Sequence, residues 1–193
     1  MRHLNLGQIT KKHDEYYTPA YAIYALVDYI RAFSRKLDHE VVIWCPFDTK
    51  DSYYVRIFKE KGFKVIHSHI SEGKDFFDLS EDKEFVKGID LIISNIPFSI
   101  KTEIFERLFE LDIPFAVLTT TIGLFDHKKR WKLFKNNKFE IMWFSRRIRF
   151  FQTMGDESTL LNPPFTTSYV CHNFLERDNE FVEIERNPIC LGD

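Results

Sequence analysis

Short apolar runs alternate with longer amphipathic stretches along this chain, the pattern of strands and helices taking turns in an α/β sheet. Pro19 opens a predicted helix whose Ala22, Ile23, Leu26, Val27 and Ile30 share one face. Residues 40–45 read as a buried first strand, 46–49 as a turn, and 52–61 as a helix closed by Gly62. Further strands are expected at 64–70, 88–94 and 114–120, with a helix at 100–111 capped by Ser99. The last third is less regular: a basic helix near 127–138, a strand near 140–145 and a hairpin through 162–185. No repeat, linker or low-complexity tract divides the chain. It reads as one domain, with an N-terminal segment and helix (1–35), a central sheet (40–145) and late strands with a tail (146–193). The expected fold is α/β: a mostly parallel central sheet, helices on both faces and an antiparallel C-terminal hairpin.

With 193 residues and 44% hydrophobic content, one sizeable core is within reach. A net charge of −2 argues against a generally basic coat and leaves room for a local patch. Such a patch is visible at residues 127–149, where Lys128, Lys129, Arg130, Lys132, Lys135, Lys138, Arg146, Arg147 and Arg149 face a single carboxylate, Glu140. Its two readings are a solvated helix face and a phosphate-contacting surface, with Lys128, Lys129, Arg130, Arg146 and Arg147 as the candidate nucleic-acid contacts. No uncharged run of about 18 residues predicts a membrane span, and residues 1–12 lack the apolar core of a secretory signal. Cys45, Cys171 and Cys190 are too few and too scattered for a disulfide framework or a zinc site, which points to a reducing cytoplasm. His67 and His69 alternate along a strand and so suggest no metal pair, and His13 reads as ordinary surface. The 16% aromatic content, 20 Phe included, suits a dense core or a stacking surface.

In open α/β sheets ligands bind where strands end at their carboxyl termini. Asp48, Asp75 and Asn95 all follow predicted strands in that way. Asn95 begins Asn95-Ile96-Pro97-Phe98, a tetrapeptide suited to activating an exocyclic amine. The amino nitrogen of adenine is a poor nucleophile because its lone pair is delocalised into the ring. Two acceptors gripping its hydrogens, an Asn side-chain oxygen and the carbonyl of Ile96, draw the nitrogen toward tetrahedral geometry. Pro97 biases Ile96 toward extended backbone, and Phe98 offers a flat face to an extruded base. A second tetrapeptide, Asn162-Pro163-Pro164-Phe165, lacks the preceding apolar strand and reads as the turn into a late strand.

The order of these features resembles the S-adenosylmethionine-dependent adenine-specific N6 methyltransferases, particularly small phage and prophage versions, over roughly residues 14–185. The resemblance implies a Rossmann-like class I methyltransferase domain. In the family a Tyr-Thr-Pro element holds the methionine end of the cofactor, which here corresponds to Tyr16, Tyr17, Thr18 and Pro19. The family's first strand ends in Asp-Pro-Phe and a Gly-rich turn; Pro46, Phe47 and Asp48 keep Pro-Phe without the leading acid or the glycines. The acid the family carries after its second strand is absent from residues 65–69, while Asp75-Phe76 matches its contact with the cofactor adenine. Ile96 stands where DNA enzymes usually carry Pro, and at this point the chain is also similar to ribosomal RNA adenine dimethyltransferases. The resemblance thus implies a cytoplasmic methyltransferase of a bacterial or phage-infected cell, with Asn95, Ile96, Pro97 and Phe98 as the catalytic set and no metal. DNA is the favoured substrate and RNA the alternative. A non-catalytic nucleic-acid or protein binder on the same fold also stays open. Little length is spare for target recognition, so the expected specificity is short, or is supplied by a partner or a homodimer.

Overall fold

The structure, a computed structural model, describes residues 16–153 and 156–185; His13, Cys190 and the segment read for a signal lie outside them. In chain order the elements are α1 (Ala20–Ser34), β1 (Val42–Cys45), α2 (Tyr53–Glu60), β2 (Lys64–His67), α3 (Phe76–Glu81), α4 (Lys83–Lys87) and β3 (Leu91–Asn95). They continue with α5 (Lys101–Leu111), β4 (Phe115–Thr120), α6 (Lys128–Asn136), β5 (Glu140–Phe144), β6 (Phe150–Phe151), β7 (Leu160–Leu161), β8 (Thr167–His172) and β9 (Asn179–Val182).

Side chains alternate across a strand, so each strand feeds two cores. Ile43, Cys45, Leu91, Ile93, Ala116 and Leu118 pack on one side of the sheet with α1 and α2. Trp44, Ile92, Phe115 and Val117 point to the other, where Phe76 of α3, Phe105 and Phe109 of α5, and Phe134 of α6 cover them. Burial on both faces is why the central strands read as continuous apolar runs. The buried Cys45 and Cys171 belong to the first core, and burial pushes both thiols up.

The sheet runs β2-β1-β3-β4-β8-β5-β9. All neighbours are parallel except β8, which is antiparallel to both β4 and β5. The α/β architecture, with its mostly parallel sheet sandwiched by helices, therefore stands as the alternation implied, and it is consistent with a Rossmann-like methyltransferase fold.

Three local features differ from the sequence reading. Residues 162–185 supply two strands that do not pair with each other: β8, buried at all six positions, takes an interior slot, and β9, exposed at alternate residues, takes the edge beyond β5. The antiparallel hairpin of the C-terminal third is instead β6–β7. Ser99 does not cap α5; Phe98–Ile100 forms a 3₁₀ turn that leads into the helix without a side-chain cap. β2 stops at His67 because Ser68 turns inward, where its hydroxyl accepts from Trp44 Nε1 at 3.0 Å and donates to the Pro46 carbonyl at 3.3 Å. The α2 terminus behaves as read, with Gly62 at φ 85° in the left-handed region.

Candidate active site at the carboxyl ends of the strands

β1, β2 and β3 run parallel, so their carboxyl ends open on one rim, and there they enclose a cleft of about 270 Å³. Beyond its last ladder bonds β1 stays stitched to the segment after β2: Ser68 N donates to the Cys45 carbonyl at 3.1 Å and Asp48 N to the Ser68 carbonyl at 3.2 Å. This bend turns Asp48 inward and buries it. The Ser94 hydroxyl donates to its carboxylate at 2.5 Å. Burial pushes the Asp48 carboxyl up to about 6, opposed by hydrogen bonds from Ser94 and Ser52.

Asn95 is the last residue of β3. Its Nδ2 donates to the Tyr16 carbonyl at 3.0 Å, while its Oδ1 is buried and has no partner among the described residues. A buried acceptor left unpaired costs about 1–3 kcal/mol, so an arrangement that keeps one points to a ligand that would fill it. Ile96 is buried and its N–H donates to the Leu118 carbonyl at 3.2 Å, which fixes the start of the tetrapeptide. Tyr17 exchanges two 3.0 Å backbone bonds with Phe151, strapping the N-terminal segment across the cleft to the β6–β7 hairpin.

Aromatic rings gather at this mouth. Tyr16 lies 6.5 Å from Phe98 with near-parallel planes and 5.8 Å from Phe150, and Phe98 meets Phe165 edge-on at 5.6 Å. The two similar tetrapeptides thus converge in space, but only the first sends its Asn into the cleft; Asn162 is exposed. On the far wall Asp75 caps α3, accepting from Phe77 N at 2.7 Å, and burial raises its carboxyl. Phe76 is wedged behind it between Trp44 and Phe47.

Of the residues singled out in the sequence, Tyr16, Tyr17, Thr18, Pro46, Phe47, Asp48, Asp75, Phe76, Asn95, Ile96 and Pro97 line the cleft. Pro19 stands at the start of α1 instead, and Phe98 lies outside the lining, against Tyr16 and Phe165. Lining residues that the motifs did not indicate are Thr49, Ser52, Tyr53 and Tyr54, where a glycine turn was missed, and His69, Ile70 and Ser71 after β2. Their signal was position alone: each follows a parallel strand at the same rim. His69 Nδ1 contacts the Ser71 hydroxyl at 2.6 Å and accepts from Ser71 N at 3.2 Å. Among the described residues the lining carries two carboxylates and neither Lys nor Arg. It is shaped and charged for an uncharged or cationic ligand with aromatic parts, and it offers a phosphate no counter-charge.

The basic segment divides. Lys129 Nζ pairs with Glu106 at 2.7 Å on α5. Arg130 donates to Thr102 Oγ1 at 2.6 Å and to the carbonyls of Gly123 and Leu124 at 2.8 and 3.0 Å, fastening the loop before its own helix. Lys128 is exposed at the start of α6, and Arg146 and Arg147 are exposed beyond the carboxyl end of β5.

No family model matches the chain. Over 93 residues it is 29% identical to the Type II methyltransferase M.EcoRI of Escherichia coli, a segment that makes up 46% of this chain and 28% of that protein. The chain therefore spans little more than a quarter of the length of that relative.

Proposed function

We propose that this chain is an S-adenosylmethionine-dependent methyltransferase acting on the N6 amino group of adenine in nucleic acid, DNA in the first place. The observation that carries the reading is the Oδ1 of Asn95, held at the end of β3 in the cleft and, among the described residues, without a partner and with no Lys or Arg in the lining. The similarity to a Type II methyltransferase supports the same reaction class.

The lining fits the cofactor. S-adenosylmethionine carries a sulfonium and an ammonium against a single carboxylate, a net positive charge that suits the acidic lining with Asp48 beside the cation, and it has no phosphate to demand a basic residue. In this reading Tyr16, Tyr17 and Thr18, which line the cleft, hold its methionine end, and Asp75 with Phe76 holds its adenine. When bound, it supplies a methyl carbon already activated as an electrophile. The protein then has to align and to accept: Asn95 Oδ1 and the Ile96 carbonyl take the amino hydrogens of the base, and Phe98 lies against its ring. His69 and Ser71 stand where the usual ribose-binding acid is missing.

The test is a calorimetric titration with S-adenosylmethionine, followed by transfer of labelled methyl groups to adenine-containing DNA and RNA. Micromolar saturable binding and N6-methyladenine product are the expected result. Binding without transfer to either polymer would leave a cofactor-binding protein, and absence of binding would leave a nucleic-acid or protein binder. Product on RNA alone would favour the reading suggested by Ile96.

Cofactor affinity is expected to depend on pH through Asp48. A cation beside it favours the carboxylate, so affinity should rise about tenfold between about pH 5 and pH 7.5 and then level off, and Asp48→Asn should flatten the curve. Without ligand the sign is reversed for folding. A carboxyl raised to about 6 by burial binds its proton more tightly folded than unfolded, so its contribution to stability is present below about pH 4 and lost as pH rises through about 6. A pH-independent dissociation constant would remove Asp48 from the cofactor's cation.

A further inference from the structure

β4 passes to α6 through residues 121–127, a loop that is firmly held yet presents apolar side chains to solvent. Arg130 binds two of its carbonyls, and Lys101 Nζ reaches the Ile122 carbonyl at 3.4 Å, tying the loop to the segment that follows the Asn95 tetrapeptide. Ile122 is nevertheless 58% exposed, Phe125 40% and Trp131 56%. The rings of Phe125 and Trp131 meet edge-on at 6.5 Å. On α6, Lys128, Trp131, Lys132 and Lys135 follow one another at i, i+3, i+4 and i+7, so they form a single stripe, and all four are exposed. Phe134 points back into the core, and Lys129 turns toward Glu106 on α5. The stripe spans about 10 Å and contains no carboxylate; Asp126 is the only one in the adjoining loop.

We infer that this stripe and loop are a DNA-docking surface, with Lys128, Lys132 and Lys135 on backbone phosphates and Trp131 with Ile122 against bases or sugars beside the extruded adenine. The inference rests on the proposed reaction and locates the polymer relative to it. Charge selects the occupant. Lysines are depleted in protein–protein interfaces, whereas aromatic faces interleaved with unpaired lysines are how proteins hold nucleic acid. Position agrees, because the loop leaves the carboxyl end of β4, next to the strand that ends in Asn95. Arg130 here acts from behind, holding the apolar tip in place.

The test measures binding of a labelled adenine-containing DNA duplex across a salt series by anisotropy, for the wild type, Trp131→Ala and the triple variant Lys128→Gln/Lys132→Gln/Lys135→Gln. Trp131→Ala is expected to weaken binding about tenfold or more at every salt concentration with an unchanged slope. The triple variant should lower the slope of log affinity against log salt by about 2 to 3. Both should keep the wild-type affinity for S-adenosylmethionine, which shows that they are folded. Wild-type DNA binding with both variants within twofold of it would overturn the docking surface and leave the proposed reaction standing. Wild-type binding of cofactor but not of DNA would overturn both. A wild-type dimer in sedimentation that Trp131→Ala dissolves, with DNA affinity unmoved, would overturn it in favour of a contact between copies.

Discussion

Asn95→Ala is expected to lower the rate of methyl transfer about a thousandfold while changing cofactor affinity by less than about threefold. Losing one preorganised group at the reacting atom costs about 10²–10³ in rate, and here the same substitution also releases the strap, since Asn95 Nδ2 holds the Tyr16 carbonyl. Asn95→Asp separates the two effects. Both variants lose the donor that tethers Tyr16, but Asp keeps acceptors where the amino hydrogens would lie, so it should retain more turnover than the alanine variant at a similar cofactor affinity. Single-turnover transfer measured beside calorimetric cofactor binding reads both quantities. Turnover of Asn95→Ala within tenfold of the wild type would rule out the proposed role.

Away from the cleft, the largest effect on stability is expected from Glu140. It opens β5 and is fully buried, and its two oxygens accept from the backbone N–H groups of Asn173, Phe174 and Leu175 at 3.1, 3.2 and 3.4 Å. These residues form the turn that leaves β8, where Asn173 sits at φ 50°. Glu140→Ala strands three donors in the interior at once, a loss of about 3–5 kcal/mol. For a chain of this size that is a fall in melting temperature on the order of 10 °C. Lys138, whose Nζ lies 3.4 Å from the same carboxylate but is mostly exposed, should matter far less on substitution, about 1 kcal/mol or under. A thermal scan in which Glu140→Ala melts within 2–3 °C of the wild type would show that solvent, and not the carboxylate, satisfies the turn.

Glu140 also marks where sequence reading stops. A lone acid before an apolar run looks like the exposed first residue of a strand, and only the fold reveals that a turn 33 residues later folds over it. β1, β3 and β4 were legible because burial on both faces leaves an unbroken apolar run. The partners of β8 and β9 were not, since a strand's pattern records how much of it is buried and not which neighbour buries it. The candidate site divides along the same line. Asp48, Asp75 and Asn95 could be grouped because parallel strands bring their carboxyl ends to one rim, and the structure puts all three in one cleft. Tyr53, Tyr54, His69 and Ser71 line it for reasons of local bend: α2 begins immediately after the turn, and Ser68 folds inward so that the chain after it doubles back over the opening. The basic segment was legible as charge, but its division into a tethering Arg130, a paired Lys129 and an open stripe depends on α5 lying alongside.

β8 alone runs against the grain of the sheet, and it separates β4 from β5. On the ribosome, β4 and β5 are therefore synthesised before the strand that joins them exists. Until Thr167–His172 emerges, β4 shows a bare hydrogen-bonding edge and β5 has no place to dock. That edge is six residues long and apolar over its first four, the kind of template on which foreign strands pair. Folding yield in the cell should accordingly depend on how promptly β8 follows β5 from the ribosome, and on a chaperone covering β4 in the interval.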